Sequence, residues 1–333
     1  MTGISIGGLE FNVSVEGGED KPALILSNPL GTNLHIWDLQ LPALRDHFRT
    51  VRYDSRGHGN TPAGQGPYSI EELGRDALII LDALQIEKVH WLGLSMGSVV
   101  GLWVLVNAPG RIGRAVLAGA AAQMPGPDMW NGRIQSALGA GMENAAEAAG
   151  ERWFTKHFRE TSPDNVERVL AMVRATSVDG YVASCSALRD TDLRESIRGI
   201  RNQVLIIAGR HDISTPPGMS ALAASSIADA RLVMLDAPHL SNIEDAANFN
   251  KAVVDFLTAP EIGFTQAPVQ KRSAAKKAAA KAPARRPAAK KSAAKRTIAK
   301  RARLKSAARQ NVGKSAAKRD KRRPNRAGAK QKR

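Results

Sequence analysis

Val89-His90-Trp91-Leu92-Gly93-Leu94-Ser95-Met96-Gly97-Ser98 is the stretch on which the reading of this chain turns. Val89 to Leu94 is a short apolar run, which predicts a buried strand. It runs straight into a helix starting near Met96. At the junction stands Gly93-Leu94-Ser95-Met96-Gly97, a G-x-S-x-G sequence. Between a strand and a helix this pattern is a nucleophile elbow. The turn is so sharp that it strains the serine, and Gly93 and Gly97 leave space where larger side chains would collide. The serine oxygen then projects above the sheet, at a helix N-terminus whose dipole favours developing negative charge.

The same alternation extends outward in both directions. Leu9 to Val15 alternates and reads as an early strand or hairpin arm. Ala23–Ser27, Thr50–Tyr53, Ala115–Leu117, Val204–Ala208 and Arg231–Leu235 are further short strands. Ser69 and Glu72 have the form of a capping box, opening a helix that runs through Leu84. Helices are also expected over Pro216–Ile227 and Asn242–Leu257. Strands alternating with helices imply a mostly parallel sheet covered on both faces. With the elbow, this predicts an α/β class chain of the α/β-hydrolase fold. Residues 122–195 interrupt the rhythm with several helices and no clear strand, so an inserted helical cap is expected there. The core then comprises residues 1–121 and 196–258, and Ala259-Pro260 ends the folded body.

A serine hydroxyl needs a base, and the base needs an orienting carboxylate. His239 follows the last predicted strand, in Asp236-Ala237-Pro238-His239-Leu240. Asp212 follows the strand before it, in Gly209-Arg210-His211-Asp212. The chain order Ser95, Asp212, His239 is the order this fold requires. His211 and Asp236 are the weaker rivals for base and acid, and His58 lies in a Gly-rich turn that braces loops. The backbone amides of Met96, next after the nucleophile, and of Leu30, in Asn28-Pro29-Leu30-Gly31, are the expected oxyanion donors. Pro29 has no N–H to offer.

Several segments resemble the 3-oxoadipate enol-lactonases. They include Ser27 to Asp38, Arg52-Tyr53-Asp54-Ser55-Arg56-Gly57-His58-Gly59, Met129-Trp130-Asn131-Gly132-Arg133-Ile134, Glu151-Arg152-Trp153-Phe154 and Asp190-Thr191-Asp192-Leu193-Arg194. His239-Leu240-Ser241-Asn242-Ile243-Glu244 completes the series, and the resemblance covers about residues 5–258. It departs at Pro29, where family members usually carry a serine-like residue. It implies a small lactone with an acetate arm as substrate, a Ser-His-Asp acyl-enzyme route to 3-oxoadipate, a place in aromatic catabolism, and no cofactor or metal. A buried carboxylate needs a partner, so Arg133, beside Trp130, is the expected cation, with Trp130 covering the ring. General carboxylesterases, C–C bond hydrolases and cofactor-free perhydrolases share such a triad and remain alternatives.

Hydrophobic residues make up 43% of the 333 residues, enough for a sizeable core. The net charge of +17 is sharply divided. Residues 1–264 hold 22 Lys+Arg against 30 Asp+Glu, a net −8. Residues 265–333 hold 26 Lys+Arg against one acid, Asp320, a net +25. That tail repeats Ser-Ala-Ala-Lys at Ser273, Ser292 and Ser315, has no aromatic residue and resembles linker-histone tails. From Ala259 to the end such a composition predicts disorder, and its partner class is nucleic acid or another polyanion, bound through phosphates and without sequence preference. This leaves a reading of another class, a polyanion-binding protein carrying a vestigial hydrolase body, against which an intact Ser95, Asp212 and His239 speak. Cys185 is the single cysteine. With no signal peptide and no apolar run of about 18 residues, a cytoplasmic protein is expected, nucleoid-associated through its tail.

Overall fold

Val89–Leu94 lies at the centre of an eight-stranded sheet, paired on both sides with parallel neighbours. The computed structural model describes residues 2–124 and 126–260. The strands are β1 (Thr2–Ile6), β2 (Leu9–Glu16), β3 (Ala23–Ser27), β4 (Arg49–Tyr53), β5 (Val89–Leu94), β6 (Ile112–Ala118), β7 (Gln203–Gly209) and β8 (Ala230–Leu235). Their order in the sheet is β1-β2-β4-β3-β5-β6-β7-β8. β2 pairs antiparallel with β1 and β4, and all other pairings are parallel. Central strands covered on both faces need continuous apolar runs. Leu24, Ile25 and Leu26 of β3 and Val204, Ile206 and Ile207 of β7 meet that demand, all fully buried.

The helices are α1 (Leu41–Leu44), α2 (Ile70–Ala83), α3 (Met96–Asn107), α4 (Pro127–Trp153), α5 (Lys156–Thr161), α6 (Pro163–Ala175), α7 (Val178–Arg189), α8 (Pro217–Ser226), α9 (Ser241–Glu244) and α10 (Ala246–Thr258). Ser69 caps α2, its hydroxyl accepting from the Glu72 amide at 3.1 Å. Ile70, Leu73, Ala77, Ile80 and Leu81 then bury one face at helical spacing. α4 to α7 fill the interval between β6 and β7 where a helical insertion is expected. The Gln123–Asp192 bridge draws the two ends of that interval together. α7 makes a very close approach to the loop after β4. Gly57, with φ of 74°, sits so near Gly180 that a Cβ on Gly180 would lie 2.4 Å from the Gly57 Cα. The Ser177 amide donates to the Gly57 carbonyl at the same place, at 3.2 Å.

Two elements differ from expectation. Thr2–Ile6 pairs as β1, closed onto β2 by Gly7-Gly8, both at positive φ. Such a pair suits a two-residue hairpin turn, whose twist matches that of the strands. The expected helix over Asn242–Leu257 is divided. Asp245 leaves helical torsions (φ −126°, ψ 50°) and its carboxylate accepts from Asn248 Nδ2 at 2.9 Å. A short polar side chain that bonds locally competes with helix continuation. The expected basic tail lies outside the described residues. Among the described residues no helix is long and apolar enough to cross a membrane.

Candidate active site

Ser95 sits between β5 and α3 with φ of 53° and ψ of −113°. That region is costly for a residue with a side chain, typically by about 1–3 kcal/mol. The surroundings hold it there. The Ser95 amide donates to the Ala118 carbonyl at 2.8 Å. The Ser98 hydroxyl bridges the Gly93 and Ala118 carbonyls at 2.9 and 2.7 Å. Glycine is obligatory on both sides. A Cβ on Gly97 would stand 2.0 Å from the Ser27 carbonyl oxygen, and one on Gly93 would stand 2.3 Å from that of Gly97. Ser98 escaped the sequence reading because nothing distinguishes it from any small helical residue.

Asp212 and His239 arrive from the ends of β7 and β8, on the same rim of the sheet as Ser95. Gly209 lets these two loops touch, since a Cβ there would lie 2.4 Å from the Pro238 carbonyl oxygen. His239 Nδ1 lies 2.8 Å from Asp212 Oδ2. The other carboxylate oxygen accepts from the Ser214 and Thr215 amides, each at 2.8 Å. The Thr215 hydroxyl donates to Oδ2 at 2.7 Å and stands 3.3 Å from His239 Nδ1. Burial alone would raise the Asp212 carboxyl. The His239 ring and the Thr215 donors outweigh it and hold the group below its ordinary value. An ionised Asp212 accepts from Nδ1–H, which leaves Nε2 of His239 as the basic nitrogen. Thr215 was not anticipated, although an Asp followed by amide donors two and three residues on is a common turn.

Ser95 and His239 line one cavity, with Leu30, Trp130 and Arg133 also on its wall. The loop carrying Leu30 is tied down by Asn28, which donates to the Tyr53 carbonyl at 2.7 Å and accepts from Trp37 Nε1 at 2.8 Å. The Leu30 amide has no acceptor among the described residues. Met96 opens α3, so its amide is one of the donors a helix start leaves free. Trp130 and Arg133 are neighbours one turn apart on α4, with the guanidinium 4.7 Å from the indole centroid. Arg152, Trp153 and Tyr181 also line this cavity, and the sequence reading assigned none of them.

The rivals stand elsewhere. His211 is paired with Asp236 at 2.9 Å on the exposed surface. His58 is buried, its Nδ1 3.0 Å from the Arg56 carbonyl, and burial pushes its pKa below the ordinary value. Its neighbours Asp54 and Arg56 serve the frame. Asp54 accepts from the Leu34 amide at 2.7 Å, and Arg56 grips Asp76 with Nε and Nη2 at 2.7 and 2.6 Å.

A family model for the alpha/beta hydrolase fold matches residues 22–246. The chain is 37% identical over 243 residues to 3-oxoadipate enol-lactonase 2 of Acinetobacter baylyi, covering 73% of this chain and 91% of that one. The crystal structure of the enol-lactonase from Burkholderia xenovorans superposes with a TM-score of 0.76 at 39% identity, covering 77% of this chain and all of that one. RutD of Agrobacterium fabrum, named as a carbamate hydrolase, is 30% identical over 259 residues, 75% of this chain and 98% of its own. The chain therefore belongs to the α/β-hydrolase family and, within it, to the group that holds the 3-oxoadipate enol-lactonases.

Proposed function

We propose that this protein hydrolyses 3-oxoadipate enol-lactone to 3-oxoadipate, a step of aromatic catabolism by the β-ketoadipate route, with Ser95 as nucleophile, His239 as base and Asp212 as orienting acid. The buried Asp212–His239 pair opening on the Ser95 cavity is the observation that carries this reading. Ser95 Oγ attacks the ring carbonyl as its proton passes to His239 Nε2. The amides of Leu30 and Met96 receive the oxyanion, a donor of this kind contributing about 3–4 kcal/mol of barrier lowering. Collapse of the intermediate breaks the ring C–O bond. The departing oxygen is an enolate, a better leaving group than an alkoxide, and it stays tethered to the acyl-enzyme. The proton held on His239 passes to the enolate, which becomes a ketone and so removes the nucleophile that would reclose the ring, and His239 is again a free base. Water, deprotonated by His239, attacks the acyl carbonyl, and the proton returns to Ser95 as the product carboxylate leaves.

Arg133 supplies a cation for the acetate arm, and Trp130 covers the ring. The test is turnover of the enol-lactone, of neutral esters and of carbamates by the parent and by Ser95→Ala and Arg133→Ala. The reading expects lactone hydrolysis lost with Ser95, along with labelling by a fluorophosphonate. It expects Arg133→Ala to raise KM more for the anionic lactone than for a neutral ester. Preferred turnover of carbamates, for which the RutD resemblance is the ground, would overturn the substrate assignment.

We further propose that residues 265–333 bind polyanions, because the charge of the chain is concentrated there. A retarded DNA band at low salt that persists after deleting these residues would overturn this.

A further inference from the structure

Arg133 and Arg152 both line the cavity that holds Ser95 and His239, although 19 positions separate them along α4. On a straight helix that separation is about 28 Å, far too long for one small-molecule cavity. Gly141 resolves this. Its φ of 73° and ψ of −167° break α4 into two arms, one carrying Trp130 and Arg133, the other carrying Arg152 and Trp153. Both arms reach the cavity.

The wall they form holds donors without acceptors. Arg152 Nε, Trp130 Nε1 and the Ser214 hydroxyl are buried without a hydrogen-bond partner among the described residues. Among the described residues no Asp or Glu lines the cavity. A partly buried guanidinium without a carboxylate or carbonyl partner is costly, and a second guanidinium nearby adds to that cost. Both effects act on Arg152, whose pKa is pushed down to about 10 by burial first and by Arg133 second. A purely structural arginine would bind carbonyls, as Arg114 does with those of Phe256 and Leu257 at 3.1 and 3.3 Å. Arg152 makes no such bond among the described residues.

We infer that Arg152 is a second carboxylate-binding residue, which with Arg133 forms a two-guanidinium clamp for the arm of an anionic substrate. The inference builds on the proposed lactonase reading by naming a specificity-determining residue for the same site. Arg152 and Arg133 line the same cavity as Ser95 and His239, so a carboxylate bound there has both guanidiniums on its wall. The clamp makes the pocket selective for charge on the arm, whereas the elbow and oxyanion donors would serve any ester.

The test needs no turnover. Titration calorimetry on the full chain measures binding of adipate, the six-carbon dicarboxylate skeleton of the proposed product, and of adipamide, its uncharged diamide. The parent is expected to prefer adipate, and Arg152→Gln to lose roughly tenfold of that preference. Arg152→Lys, which keeps the charge but not the planar fork, is expected to retain part of it. Equal weakening of both ligands in Arg152→Gln would mark a packing role and overturn the inference. So would a preference left intact in that variant, or a parent with no preference for adipate. Should Arg152→Gln fail to fold, the same selectivity ratio is read from Arg152→Lys. A parent that prefers adipate through Arg152 yet leaves the enol-lactone untouched keeps the clamp and removes only the lactone.

Discussion

Asp212 Oδ2 and His239 Nδ1 stand 2.8 Å apart, with Asp212 4% and His239 3% exposed. So little exposure means that no water competes for either partner, and the imidazole is held in one tautomer and one orientation. Thr215 completes the arrangement by donating to the same carboxylate oxygen.

Thr215→Val keeps the shape of the side chain and deletes that donor. The carboxylate loses a hydrogen bond to its charged form, so its pKa rises and the acid limb of kcat/KM moves to higher pH. The loss in kcat/KM at neutral pH is expected to be near tenfold, corresponding to about 1.5 kcal/mol for a bond to a charged group. A pH–rate profile superimposable on that of the parent would contradict this.

Ser95 stores backbone strain, and Ser95→Gly releases it. Glycine enters the positive-φ region freely. Hydrolysis is expected to vanish while stability rises by about 1 kcal/mol, a trade of activity against stability at a strained position. Urea unfolding of parent and variant measures this, and a less stable variant would count against strain at the elbow.

Burial pushes the His58 imidazole below its ordinary 6.5. The unfolded chain then binds more protons than the folded one once the pH falls to that range. The stability linked to His58 is fully present above 6.5 and is lost as pH falls through the folded-state value. His90 is shifted the same way, by burial first and then by Arg114. Between about pH 7.5 and 5.5 the carboxylates stay ionised, so the histidines dominate the change. Tm measured by calorimetry is expected to drop over this window, and to drop less in His58→Gln. An equal drop in both proteins would assign the effect elsewhere.

Gly180→Ala drives a methyl group into the Gly57 backbone. No flexible side chain can yield there, so destabilisation of about 1–3 kcal/mol is expected. Ala183, also on α7, offers a control, since its replacement by glycine removes atoms instead of adding them. Denaturant midpoints of the two variants separate overpacking at Gly180 from a general sensitivity of the helix.

The elbow was legible because Gly93, Ser95 and Gly97 are each required by local geometry, and local geometry is written in adjacent residues. Asp212 and His239 were legible because each follows an apolar strand, and strand ends mark the rim of a parallel sheet. Arg152 was not. Its position opposite Arg133 depends on a turn in α4 at Gly141, and a glycine inside a long apolar-and-polar helix looks the same whether the helix bends or stays straight. Thr2–Ile6 was passed over for a related reason, since its partner strand, and not its own composition, makes it a strand.

No atom outside its own chain neighbourhood would meet a Cβ at Gly141, so the space beside that residue is open. The span between the two guanidiniums thus follows from one pair of backbone torsions, with Ile134 on one arm and Ala146 on the other buried in the core. A descendant enzyme could adapt to a longer or shorter acid by altering this single joint, leaving the elbow, the imidazole and the sheet untouched. Diversification of acid length within such a lineage would then be written in the middle of one helix, well away from the proposed nucleophile and base.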